Sequence, residues 1–61
     1  MTQEQYLTAI EEATTAAATA EVEMVRAYRR MNSGTAKVSA ACDGYVTAAK
    51  TLADAVRAYA T

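Results

Sequence analysis

Residues 20–45 read AEVEMVRAYRRMNSGTAKVSAACDGY, and the four residues Asn32-Ser33-Gly34-Thr35 near their middle decide the fold. Upstream of them, apolar residues recur at Tyr6, Ile10, Ala13, Ala17, Ala20, Met24, Ala27 and Met31. Downstream, the same rhythm resumes at Val38, Cys42, Tyr45, Ala49, Leu52, Val56 and Tyr59. Every step is three or four residues, the spacing that lines one face of a helix. Between the runs, Gly34 can take the left-handed conformation that closes a helix, and Asn32 tolerates it better than most residues. Ser33 or Thr35 can then cap the second helix. A break this short joins antiparallel neighbours. The predicted fold is all-α: one domain over 1–61, with helix 1 at about 3–31, a turn at 32–34 and helix 2 at about 35–60.

The flanking residues support that division. Thr2 stands three residues before Gln5, a capping-box pattern at the start of helix 1. Glu4 lies in the first turn, and Arg26, Arg29 and Arg30 gather near the other end, each favouring its end of the helix dipole. Thr14, Thr15 and Thr19 work against an isolated helix because β-branched side chains lose freedom there. Gly44 is the weak point of helix 2. The seam keeps its phase across Gly44, which favours one continuous helix; the rival reading breaks the chain there. Gly44 is either a tolerated surface glycine or a place where another backbone comes close.

The seam also predicts how the helices meet. Folding about Gly34 sets Ala27 near Cys42, Ala20 near Ala49, Ala13 near Val56 and Ile10 near Tyr59. Small residues then face one another in the middle, which permits a close approach. The seam residues are Ile10, Ala13, Ala17, Ala20, Met24, Cys42, Tyr45, Ala49, Leu52 and Val56. Cys42 reads as a small buried hydrophobe on that seam.

A hairpin of 61 residues has little to bury, and sixteen of its residues are alanine. One cysteine excludes an internal disulfide, and the lack of histidine removes the commonest metal ligand. No cofactor and no metal are expected. The remaining source of stability is a partner, most simply a second copy that completes a four-helix bundle homodimer. Disorder is disfavoured, since the chain is 52% hydrophobic, carries a net charge of −1 and has no proline.

The width of the apolar face points the same way. In a heptad reading of helix 2, Ala41, Ala48 and Ala55 flank the seam on one side, and Val46, Ala53 and Ala60 on the other. A face this wide touches more than one neighbour. In helix 1, Val22, Val25 and Tyr28 lie where one neighbouring helix cannot cover them all; with Arg29 and Arg30 they form the candidate partner surface.

Catalysis is not expected. Neither a phosphate-binding glycine loop nor a nucleophile–histidine set is present. Glu11 and Glu12 diverge round the helix, as do Glu21 and Glu23. Glu23–Arg26, Lys50–Asp54 and Asp54–Arg57 have ion-pair spacing but read as solvated pairs. The first residues lack the basic flank and apolar core of a secretory signal, and no run is long enough to span a membrane, so a cytoplasmic protein with no membrane partner is expected.

The sequence therefore points to a small protein–protein interaction module, an adaptor or inhibitor acting as a homo-oligomer, with itself and another protein as partners. The alternative is a nucleic-acid-binding bundle using a basic patch near the turn, Arg26, Arg29, Arg30 and Lys37. A structural component of a larger assembly is the third reading.

Overall fold

A computed structural model describes residues 1–30 and 35–61. It is a two-helix hairpin: α1 spans Gln3–Arg29 and α2 spans Thr35–Ala60. The expected roles of Met31, Asn32, Ser33 and Gly34, and of the Thr35 side chain, lie outside the described residues.

The start of α1 agrees with the capping-box expectation. The backbone N–H of Gln5 donates to Thr2 Oγ1 at 3.2 Å, and the backbone N–H of Thr2 donates to Gln5 Oε1 at 2.9 Å. Two amides that would otherwise lack partners are thus satisfied reciprocally. The threonines are accommodated locally. Thr14 Oγ1 donates to the Ile10 carbonyl at 2.7 Å and Thr15 Oγ1 to the Glu11 carbonyl at 3.1 Å. Thr51 makes the same bond to Thr47 in α2. Each hydroxyl finds an acceptor one turn back without breaking the helix.

α1 ends earlier than the expected 31. The Arg30 amide is shared between the Arg26 and Ala27 carbonyls at 3.1 and 3.2 Å, and Arg30 itself leaves helical geometry at φ −99, ψ 47. In α2, Gly44 does not interrupt the helix. A Cβ built on Gly44 meets nothing within 4 Å, so within the hairpin it is a surface glycine and not a point of close approach.

The earlier end of α1 changes the register. With α1 closing at Arg29 and α2 opening at Thr35, the midpoint between the two helix ends falls two positions before Gly34. Tyr59 accordingly meets Tyr6, one turn before the expected Ile10. Their rings stack edge to face with centroids 6.2 Å apart, and Gln3 Nε2 donates to the Tyr59 hydroxyl at 3.0 Å.

Burial tracks the seam but stays shallow. Ala13 is 7% exposed and is the one buried residue among those described. Ile10, Ala17, Ala20, Met24, Tyr45, Ala49 and Leu52 are half-buried. Cys42 is also half-buried within the single hairpin. Val56 departs further, at 45% exposed, because α1 occupies only one side of the wide α2 face. The molecule measures 46 × 14 × 11 Å, a rod two helices thick, so each helix has one neighbour and large side chains stay partly open to solvent.

Candidate interaction surface

The two long sides of the hairpin differ in chemistry. On one, Met24, Val25, Tyr28 and Arg29 of α1 and Val38 and Cys42 of α2 line an apolar groove of about 300 Å³. On the other, Glu23, Arg26, Ala27 and Arg30 face Lys37 across a charged groove of about 210 Å³. These two grooves fix which flank of each helix lies on which side.

Carrying those flanks along the helices at about 100° per residue sorts the exposed apolar side chains. Leu7, Val25 and Tyr28 of α1 fall on the side of the apolar groove; they are 42%, 38% and 63% exposed. Val46 and Val56 of α2 fall on the same side, at 62% and 45% exposed. Val22 is 49% exposed but points outward, nearer the edge of that side. Both helices therefore contribute to one apolar face that neither covers. Sequence reasoning found Val22, Val25, Tyr28 and Val46 as uncovered positions. It could not place the α1 and α2 residues on a common side, because that depends on how the hairpin is handed.

The structure divides each candidate set. Of the partner surface, Val25, Tyr28 and Arg29 line the apolar groove, whereas Arg30 lines the charged groove on the opposite side. Of the basic patch, Arg26, Arg30 and Lys37 come together with Glu23 among them, and Arg29 is separated from them. A third depression, of about 430 Å³, runs along Thr2, Glu4, Gln5, Thr8, Ala9 and Glu12. It is walled by a single helix end and has no opposing surface.

Polar chemistry is sparse. Arg57 and Asp54 form an ion pair at 3.0 Å, with side chains 77% and 57% exposed, so Asp54 pairs with Arg57 and not with Lys50. Solvent screening leaves such a pair worth tenths of a kcal/mol. Among the described residues no group of three His, Cys, Asp or Glu side chains is placed to hold a metal ion, and no helix is long and apolar enough to cross a membrane.

The area left exposed is large for the mass. The chain presents 4734 Å² to solvent. A compact monomer of its 6.5 kDa presents about 3,800 Å², so the hairpin carries an excess of roughly 900 Å². One partner of a standard protein–protein interface buries about 800 Å². No family model matches the chain, and no curated protein or solved structure matches it at a significant level.

Proposed function

We propose that this chain is a small protein–protein interaction module, an adaptor or inhibitor, that works as a homo-oligomer in which two hairpins form a four-helix bundle. The observation that carries the reading is the single apolar face built by Leu7, Val25 and Tyr28 with Val46 and Val56, on a chain whose one buried residue among those described is Ala13. Apolar area left in water is the main unspent driving force for association. A face shared by two helices is also the surface by which helical bundles grow.

Sedimentation equilibrium over micromolar concentrations tests the reading. The expected mass is twice the 6.5 kDa of one chain. A folded monomer at those concentrations overturns it, and growth in mass without limit favours the structural-assembly reading instead.

The nucleic-acid reading is supported by one arrangement, the groove that brings Arg26 and Arg30 to Lys37. Glu23 in the same groove and the net charge of −1 weaken it. Phosphate binding releases counterions, so affinity would fall steeply with salt and with loss of the two arginines. Absence of binding to RNA and DNA at low salt removes this reading.

A further inference from the structure

Within the shared apolar face, α2 contributes a continuous stripe. Cys42, Val46, Ala49, Ala53, Val56 and Ala60 alternate at four and three residues, with no charge among them. Cys42, Ala49 and Val56 also belong to the seam that meets α1, whereas Val46, Ala53 and Ala60 lie about 60° round α2 from it. A helix with two contact lines at that angle has two neighbours, as in a square four-helix arrangement. The hairpin supplies one of them.

We infer that the second neighbour is α2 of a second copy of this chain, running antiparallel, with the two-fold axis passing close to Ala49. This geometry rests on the interaction-module reading and makes it specific. Area supports a second copy as occupant: the excess of roughly 900 Å² per chain is close to the share of one partner in a standard interface. An isologous contact uses the same patch on both chains, and the stripe is self-complementary when reversed. Small residues, Ala49 and Ala53, lie near its middle, with Cys42 and Val46 on one side and Val56 and Ala60 on the other.

Charge sets the direction. Asp43, Lys50 and Arg57 run along the outer flank of the stripe. Reversal brings Asp43 of one chain toward Arg57 of the other, twice per dimer, against one meeting of Lys50 with its symmetry mate. Reversal also keeps the four cations of each turn end, Arg26, Arg29, Arg30 and Lys37, at opposite ends of a rod 46 Å long. A parallel pairing would collect both sets at one end, where they repel.

The native cysteine makes the geometry testable. In the antiparallel pair each Cys42 lies about seven residues from the axis, so the two thiols are roughly 20 Å apart, far beyond disulfide reach. In a parallel pair they lie side by side. Copper–phenanthroline oxidation is applied to the native chain and to a Cys42→Ala, Ala49→Cys variant. The variant is expected to form a covalent dimer at least about tenfold faster than the native chain, because its thiols flank the axis. Equal rates, faster linkage through Cys42, or no linkage in the variant overturns the antiparallel arrangement while leaving a dimer by sedimentation intact. A native chain that sediments as a monomer defeats the underlying reading instead. Val46→Glu supplies a second measurement. Val46 is 62% exposed in the hairpin, so the substitution removes little within one chain, and the mass is expected to fall to that of one chain. A Val46→Glu variant that still dimerises as tightly as the native chain overturns the proposed contact.

Discussion

Replacing Gly44 with alanine is expected to stabilise this hairpin, and each part of the effect can be assigned. Gly44 lies well inside α2, and its backbone is helical. In a helix interior, glycine is less favourable than alanine by about 1 kcal/mol, mostly through the greater freedom it retains when unfolded. The new methyl group meets nothing within 4 Å, so no packing cost offsets that gain. It also lies about 160° round α2 from the Val46 stripe, so the proposed second copy leaves it free. The expected gain is therefore about 1 kcal/mol per chain, which in a domain of this size corresponds to a melting temperature higher by about 4–8 °C. Thermal and urea unfolding monitored by far-ultraviolet circular dichroism, at matched protein concentration, measures it. The urea midpoint should rise with the slope unchanged. An unchanged or lowered midpoint refutes the reasoning, because it requires another backbone packed against Gly44. The interface would then lie on the opposite side of α2.

Three further substitutions probe the hairpin itself. Thr2→Ala removes the acceptor for the Gln5 amide and half of the capping box, and should cost about 1 kcal/mol by urea unfolding; no loss would show that the cap contributes nothing to the folded chain. Ala13→Leu places three extra carbons at the most enclosed position of the seam, where Ala13 is 7% exposed, and should cost about 1–3 kcal/mol by the same measurement. A gain in stability there would mean that the seam holds unfilled space. Asp54→Asn removes the exposed pair with Arg57 and should change stability by less than about 0.5 kcal/mol, with the difference vanishing in high salt; a larger, salt-insensitive loss would show that this pair becomes enclosed in the assembled protein.

Much of the hairpin was legible because its signals are local. The three- and four-residue spacing, the Thr2–Gln5 box and the arginines at the end of α1 act within one helix, and the structure places helices where those signals lie. The continuity of α2 past Gly44 was readable for the same reason, since a change of element would have shifted the phase of the seam. The pairing across the seam was not. It depends on where α1 stops, and a shift of two residues at Arg29 moves Tyr59 from Ile10 to Tyr6. The extent of burial at Cys42 and Val56 was beyond reach for a related reason. Membership of an apolar stripe does not tell which part of a wide stripe the neighbouring helix covers.

What the sequence determined by itself is two amphipathic helices, their caps and their reversal, because helix periodicity and capping are written in residues within a turn of each other. It also determined that the hairpin is poor in core, since alanine contributes little area wherever it is placed. Tertiary structure alone decided the register of α1 on α2 and the sidedness of what remains. The hand of the hairpin brings Val25 and Tyr28 to the side of Val46 and Val56, and sends Arg26 and Arg30 to the side of Lys37. No periodicity within one helix encodes which flank of the other it will meet. That relation exists only once both helices are packed, and it converts scattered exposed side chains into one apolar face and one charged groove.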